Sequence, residues 1–252
     1  MTREQKSISR RKRYTALAVI LAVILLFVVG FAAYVSDYYH ASEYAVQAMA
    51  SDDHMTVSIS EDGTILFVPD APQAGLIFYP GGKVEYTAYV PLMRACARRG
   101  MMCVLLKMPF HLAVLDVNAA DGIAEQHPDI ASWYIGGHSL GGATAAMYVA
   151  DHSDELDGLI LLAAYSSKDL SGSDLTVLSV YGSEDRVLNA EKYESNKANL
   201  PSDMIEVIIE GGCHAGFGAY GPQDGDGTPS ISNEEQINRT AEEIQAVISS
   251  KS

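Results

Sequence analysis

Near its N-terminus the chain has an uncharged run of 23 residues, Tyr14–Ser36, which is too apolar to be solvent-exposed in water. At ~1.5 Å per residue, a helix of about 20 residues crosses the 30 Å hydrocarbon core of a bilayer. The preceding residues, 1–13, hold six of the 17 basic residues of the chain and one acidic residue. We therefore expect a single transmembrane helix over residues 14–36, behind a basic head at residues 1–13.

A cleaved signal peptide is the main alternative, because it also places basic residues before an apolar segment. Its apolar part is usually about 7–15 residues long and ends at a small-x-small cleavage site, whereas Ala33-Tyr34-Val35 is a poor site. A buried core helix fits less well, because no polar face recurs at helical spacing. An uncleaved anchor in the cell membrane is favoured, with the basic N-terminus in the cytoplasm and the remaining chain on the extracytoplasmic side.

The charge of the chain limits the class of partner. The net charge is −15, and without the basic head the remaining 11 basic and 31 acidic residues give −20. Phosphate binding requires a basic surface, so nucleic acid is excluded as the main partner. A lipid bilayer, contacted through residues 14–36, is the one large partner that the pattern predicts.

After residue 54, short apolar segments alternate with helical ones. We interpret residues 37–54 as a stalk and residues 55–252 as one domain, which opens with a hairpin, Met55–Ser60 and Thr64–Val68, around Asp62-Gly63. Uniformly apolar strands between helices predict an α/β fold, with a mostly parallel sheet covered by helices on both faces. The predicted strands are Gly75–Tyr79, Met101–Leu106, Trp133–Ile135, Gly158–Ala164, Leu175–Tyr181 and Met204–Ile209, and the predicted helices are Tyr86–Arg99, His111–His127, Ala143–Ala150 and Glu234–Ser249.

Gly137-His138-Ser139-Leu140-Gly141 fits the pattern G-x-S-x-G and lies where a predicted strand meets a predicted helix. Such a turn holds the serine in a strained conformation and raises its hydroxyl above the sheet edge. The following helix directs its free N–H groups and its positive dipole end to the same place. Ser139 is therefore the candidate nucleophile.

A serine nucleophile needs a base, and the base needs an acid that orients it. In this architecture the chain order is serine, acid, histidine, which Asp185 and His214 satisfy. Both follow predicted strands, at the edge where parallel sheets place their ligands. Glu184, next to Asp185, and Asp169, after the preceding strand, remain alternatives for the acid.

On these motifs the chain resembles the alpha/beta-hydrolase superfamily, and within it the fold-5 branch related to dienelactone hydrolases. The resemblance runs from about Thr64 to the C-terminus and rests on FYPGGKVEYTAY, LLKMPFHLAV, YIGGHSLGGA, LLAAY, SVYGSEDRV and EGGCHAGFGAYGPQDGDGTP. It implies a hydrolase with Ser139 as nucleophile, Asp185 as acid and His214 as base. True dienelactone hydrolases carry a cysteine where this chain has Ser139, so a dienelactone substrate is not implied.

Two backbone N–H groups are expected to form an oxyanion hole. One belongs to Leu140, directly after the nucleophile, and the other to Gly82, with Lys83 as the alternative. Lys107, Phe110 and His111 follow the carboxyl end of a strand and are candidate substrate contacts, although structural roles are about equally compatible with their positions.

Only ten residues separate the strand ending at Ala164 from that starting at Leu175, which leaves no room for a lid domain. An open site predicts a small-molecule ester substrate, and the Ser–His–Asp chemistry needs no metal and no organic cofactor. The sequence therefore predicts a membrane-anchored serine hydrolase of the carboxylesterase type. A membrane-tethered binding protein on the same fold, or an acyltransferase, remains an alternative.

Overall fold

The computed structural model describes residues 3–250, with side chains from Tyr14 onward, as two units that divide after Tyr38. The first unit is helix α1 (Arg3–Ser36). Its segment Tyr14–Ser36 is long and apolar enough to cross a membrane, and none of it is buried; a signal sequence has the same properties. The side chains of residues 1–13 lie outside the described residues, so the division into a basic head and an anchor stays a prediction.

The second unit is built on one eight-stranded sheet. Its strand order is β1-β2-β4-β3-β5-β6-β7-β8. The hairpin β1–β2 is antiparallel and β2 also runs antiparallel to β4, whereas all the other neighbours are parallel. The predicted parallel sheet with an antiparallel hairpin at one edge is confirmed. The strands are β1 (Met55–Ile59), β2 (Ile65–Pro69), β3 (Ala74–Tyr79), β4 (Met101–Leu105), β5 (Trp133–His138), β6 (Gly158–Leu162), β7 (Thr176–Gly182) and β8 (Ile205–Ile209).

Helices cover both faces of this sheet, as predicted. Successive side chains of a strand point to opposite faces: Leu76 packs in the same cluster as Leu92 of α3 and Ile244 of α6, and Ile77 packs in the cluster that contains Ala145 of α4. Because both faces are covered, every residue of β3 is buried. The helices of this unit are α2 (Glu43–Gln47), α3 (Val90–Ala97), α4 (Leu140–Val149), α5 (Ala190–Asn196) and α6 (Asn233–Ser249).

The helix predicted over His111–His127 is wrong. The structure has two short 3-10 turns, Pro109–His111 and Ala113–Leu115, followed by further turns. Phe110 and His111 have φ angles of 52° and 58°, and a right-handed helix does not accept positive φ. The apolar residues of this segment do not form one face of a helix. They are buried individually, and Ala113 is an example.

The segment predicted as a stalk, residues 37–54, also differs from that prediction from Tyr39 onward. The N–H of Tyr39 donates to the carbonyl of Lys83, and the N–H of Ser42 donates to the carbonyl of Ala219, each at 2.8 Å. These bonds join backbone groups that are far apart in sequence, and they make residues from Tyr39 onward part of the second unit.

Candidate active site

Ser139 lies between the last residue of β5 and the first residue of α4, with φ 53° and ψ −120°. A serine rarely adopts positive φ, so the surrounding structure must hold it there. Its N–H donates to the carbonyl of Leu162 at the end of β6 (2.9 Å), and its carbonyl accepts from Ala143 in the first turn of α4 (3.1 Å). The nucleophile candidate is thus fixed in a strained turn at the carboxyl edge of the sheet.

The two glycines of the motif permit this turn. A Cβ at Gly137 would come within 2.4 Å of the backbone of Gly141, and a Cβ at Gly141 would come within 2.2 Å of the carbonyl oxygen of Tyr79. Neither contact is possible for a side chain, because the opposing atoms belong to backbone. The spacing G-x-S-x-G is therefore required by the approach of α4 to β5 and β3.

Asp185 and His214 form a buried pair at the same edge. The Nδ1 of His214 and the Oδ2 of Asp185 are 2.8 Å apart, and each side chain is 2% exposed. The second oxygen of Asp185, Oδ1, accepts from the N–H groups of Val187 and Leu188, both at 2.8 Å. Because a carboxylate only accepts hydrogen bonds, the His214 Nδ1 carries a proton and donates a hydrogen bond to Asp185.

The other ring nitrogen of His214, Nε2, is buried and has no hydrogen-bond partner among residues 3–250. Buried polar atoms without partners are uncommon and require an explanation. The ring of His138, which directly precedes Ser139, lies 4.5 Å from the ring of His214 between centroids. The structure therefore brings His214 next to the turn that carries Ser139, with an acceptor nitrogen unoccupied.

His138 packs in this site as a neutral residue. Its Nδ1 lies 2.7 Å from the hydroxyl of Tyr89, which in turn accepts from the N–H of Gly81 at 3.1 Å. Burial, followed by repulsion from His214, holds the pKa of His138 well below its usual value. This short chain of hydrogen bonds connects the loop after β3 to the residue before Ser139.

Gly82 and Leu140 lie side by side, since a Cβ at Gly82 would come within 2.8 Å of the Leu140 Cδ2. Within residues 3–250, neither amide donates a hydrogen bond to a protein group. The alternative donor, the N–H of Lys83, is bound to the carbonyl of His111 at 2.8 Å. Of the three candidate donors, the amides of Gly82 and Leu140 are therefore the two without an acceptor in the described part of the chain.

Strained backbone is concentrated at this edge of the sheet. Non-glycine residues with positive φ follow four adjacent strands: Lys83 after β3, Phe110 and His111 after β4, Ser139 after β5, and Ala163 after β6. Each such residue costs about 1–3 kcal/mol, and strain of this kind clusters at functional sites.

The three candidate substrate contacts are placed differently from one another. Lys107 lies against Gly63 in the β1–β2 turn, where a Cβ would come 2.6 Å from its Cδ. Phe110 is 57% exposed, and burial lowers the pKa of the half-buried His111. The carbonyl of His111 binds the loop of Gly82 through Lys83. A substrate role for these three residues stays a prediction.

The two alternatives for the acid have other partners. The carboxylate of Asp169 binds the hydroxyl and the N–H of Ser171. The carboxylate of Glu184 accepts from the hydroxyl of Ser183 at 3.4 Å. Asp185 is the acid that the structure brings to His214.

Sequence reasoning missed two side chains that hold the loop of His214. The buried amide of Gln236, on α6, accepts from the N–H of Cys213 (3.0 Å) and donates to its carbonyl (2.8 Å). The carboxylate of Asp226 binds the N–H of Ala215 (2.8 Å). The one signal in the sequence is that Asp226 stands in the glycine-rich stretch after His214.

Among the described residues, no group of three or more His, Cys, Asp or Glu side chains is arranged to hold a metal ion.

Comparisons with known proteins agree with this architecture. A family model described as the alpha/beta hydrolase family matches residues 75–238, whereas no curated protein matches the chain. Among solved structures, a predicted CIB-like hydrolase from Thermoplasma acidophilum is similar with TM-score 0.53 and 18% identity, over 76% of this chain and 99% of that chain.

Two further solved structures are similar. A hormone-sensitive lipase from a metagenome library has TM-score 0.56 and 16% identity, over 83% of this chain and 92% of that chain. Est1E from Butyrivibrio proteoclasticus has TM-score 0.53 and 14% identity, over 78% of this chain and 100% of that chain. At these identities the likeness establishes the fold alone.

Proposed function

Because this chain belongs to the alpha/beta hydrolase family, we propose that it hydrolyses carboxylic esters with Ser139 as nucleophile, His214 as base and Asp185 as acid. The observation that carries the proposal is the buried His214 ring. Its Nδ1 is bound to Asp185, and its Nε2 has no hydrogen-bond partner among the residues that the structure describes. The ring lies beside the strained turn of Ser139. Buried polar atoms are usually hydrogen-bonded. Of the two buried histidines whose Nε2 lacks a partner within residues 3–250, His138 is bound to the hydroxyl of Tyr89 and His214 to the carboxylate that a catalytic base requires.

The mechanism follows from these positions. The Nε2 of His214 takes the hydroxyl proton of Ser139 as its oxygen attacks the acyl carbon, and Asp185 stabilises the imidazolium that forms. The N–H groups of Gly82 and Leu140 stabilise the negative oxygen of the tetrahedral intermediate. His214 then protonates the leaving alcohol, which leaves an acyl group on Ser139, and water activated by His214 releases the acid.

The substrate class is inferred from the short connection between β6 and β7. The chain between β6 and β7, residues 163–175, is a short loop, so no inserted lid encloses an acyl chain there. We propose a small ester, or the exposed ester end of a larger molecule, as substrate. The charge of −20 outside the basic head disfavours anionic substrates at long range, within the limits of salt screening.

A series of p-nitrophenyl esters from acetate to dodecanoate tests this function. We expect the highest kcat/KM with the short esters, and no hydrolysis by Ser139→Ala. Ser171→Ala is the matched control, because Ser171 is an exposed serine that binds Asp169, and it should retain wild-type activity. Preference for the dodecanoate contradicts the open site, and equal activity of Ser139→Ala contradicts the nucleophile.

Two alternatives give distinct results in the same assay. A binding protein on this fold releases no p-nitrophenol at all. An acyltransferase releases it faster when an acceptor alcohol is added, and a new ester accumulates in place of the acid.

We propose further that residues 14–36 anchor the enzyme in the cell membrane, with the hydrolase domain outside the cytoplasm. The supporting observations are the length and composition of Tyr14–Ser36 and the basic residues before it. Protease added to intact spheroplasts should digest the hydrolase domain, and full protection contradicts this orientation. A membrane-bound product that retains residue 1 distinguishes an anchor from a cleaved signal peptide.

A further inference from the structure

Asp226 links the loop of the proposed acid to the loop of the proposed base. Its Oδ1 accepts from the N–H of Arg186 at 3.2 Å, and its Oδ2 accepts from the N–H of Ala215 at 2.8 Å. Arg186 directly follows Asp185, and Ala215 directly follows His214. One carboxylate therefore binds the backbone next to both members of the pair.

We propose that Asp226 is a positioning residue, which fixes the separation of Asp185 and His214 through the backbone amides of Arg186 and Ala215. The inference rests on the proposed function, because it assigns a role within the same Ser139–His214–Asp185 machinery. Asp226 itself touches neither of the two side chains in these bonds, so its effect passes through the two loops.

The charge of Asp226 suits this role. Burial raises the pKa of its carboxyl, but the backbone N–H groups of Ala215, Arg186 and Gly227 outweigh burial and bring the pKa below its ordinary value. Asp226 is therefore ionised at neutral pH. Hydrogen bonds that an ionised group accepts are shorter and roughly twice as strong as those between neutral groups.

A further hydrogen bond joins the two loops before the pair, where the N–H of Glu184 donates to the carbonyl of Gly212 at 2.8 Å, whereas the bonds of Asp226 join them after the pair. A cavity of about 400 Å³ lies beside the loop of His214, lined in part by Ala215, Gly216, Asp226 and Gly227. On another side, Gln236 binds the peptide groups of Cys213.

Gly227 shows how closely the segment of Asp226 approaches the loop of Asp185. A Cβ at Gly227 would come within 1.9 Å of the carbonyl oxygen of Glu184, the residue before Asp185. The backbone that carries Asp226 therefore lies directly against the acid loop, and only glycine fits there. A shift of Asp226 is consequently transmitted to Asp185.

Asp226→Asn tests the inference in the purified full-length chain. Asparagine keeps one acceptor oxygen, but its NH₂ group cannot accept from an amide, so one of the two loops loses its bond. We expect kcat to fall about 10- to 100-fold with KM little changed, because small misplacements of reacting groups have effects of this size. Asp224→Asn is the matched control in the same loop and should behave as wild type.

A second readout observes the Asp185–His214 hydrogen bond directly. The proton on His214 Nδ1 gives a far-downfield proton NMR signal when it is bound to a carboxylate, and this signal does not depend on turnover. We expect it to shift or broaden in Asp226→Asn and to remain unchanged in Asp224→Asn. Wild-type kcat together with an unchanged signal in Asp226→Asn overturns the inference.

These readouts separate failure of the inference from failure of the proposed function. If the wild-type chain hydrolyses no ester and does not react with a fluorophosphonate, the proposed function fails, and the NMR signal alone then decides the positioning role. If Asp226→Asn does not fold, Asp226→Glu is judged by the same criteria. Glutamate keeps the charge and displaces the carboxylate by one methylene, so a wild-type kcat and signal in that variant overturn the inference.

Discussion

The interior of the sheet and its carboxyl edge differ in backbone strain and in how completely their polar atoms are hydrogen-bonded. In the interior, every residue of β3, β4 and β6 is buried, and the strands pair in regular register. At the edge, the loops after four adjacent strands contain non-glycine residues with positive φ. The edge also holds two buried histidine nitrogens, on His138 and His214, that lack partners within residues 3–250.

This difference indicates that the interior stabilises the fold and that the edge carries the groups available for chemistry. The interior gains free energy by burying apolar surface and satisfying its backbone groups. The edge gives some of this free energy up as strain and unpaired polar atoms, which persist only because the interior is stable enough to hold them. Substitutions at the edge should therefore change activity more than stability, and substitutions in the interior should do the reverse.

Ser139→Gly should have the largest effect. Loss of the proposed nucleophile is expected to lower kcat by about 10⁶-fold, the size of effect seen in serine hydrolases with a triad. Glycine accepts the positive φ of this position without strain, so the free energy of unfolding should rise by roughly 1 kcal/mol. Urea denaturation and ester hydrolysis measure the two effects. A variant that is both inactive and markedly destabilised contradicts the separation of edge and interior.

Asp185→Asn is expected to rank second. The asparagine no longer selects the His214 tautomer that leaves Nε2 free to accept, and kcat should fall about 10⁴-fold. Glu184→Gln is the matched control, one residue away, and should retain most of the activity because its carboxylate does not bind His214. If Glu184→Gln is the more damaging substitution, the assignment of the acid is wrong.

Leu159→Ala probes the interior. Leu159 is fully buried in β6 and pairs with Ile135 and Val177. Truncation of a buried leucine to alanine costs about 2–5 kcal/mol through lost burial and the cavity that it leaves. Chemical denaturation should show this loss, while kcat/KM of the remaining folded protein stays within a factor of two or so of wild type. A large fall in kcat/KM contradicts the separation.

His138 should give the smallest effect, which depends on pH. Its pKa in the folded state lies well below the ordinary value, so the unfolded chain binds the proton more readily. The stability that neutral His138 contributes is therefore complete above about pH 6.5, and is lost below it at up to about 1.4 kcal/mol per pH unit. Between pH 7.5 and 5.5, wild type should lose about 1 kcal/mol more unfolding free energy than His138→Asn. Equal losses contradict a neutral, buried His138.

The strands of the interior were predictable from sequence because each depends on a short, local pattern of apolar residues. Uniformly apolar runs such as 75–79 and 158–162 signal strands that are buried on both faces, and the Asp62-Gly63 turn signals the hairpin. Segment 111–127 was wrongly predicted to be a helix. Its apolar residues are buried one at a time by a backbone that consists of turns. Helical spacing alone does not reveal the positive φ of Phe110 and His111.

The edge was predictable only in part. Glycine spacing around Ser139, and strand ends before Asp185 and His214, indicate which edge these residues reach. The positions of Asp226 and Gln236 leave almost no signal, because both side chains bind backbone groups, and backbone groups have no sequence signature. Contacts of that kind depend on how distant loops meet, which a single sequence does not specify.

Peptide mapping after reaction with a fluorophosphonate would show whether Ser139 is an activated nucleophile. The reagent phosphonylates a serine that is activated by a neighbouring base, and mass spectrometry of the digested protein identifies the modified residue. We predict a single adduct on Ser139 in the wild-type chain and none in His214→Ala. An unmodified wild-type protein, or an adduct on any other serine, would contradict the proposal that Ser139, His214 and Asp185 act together.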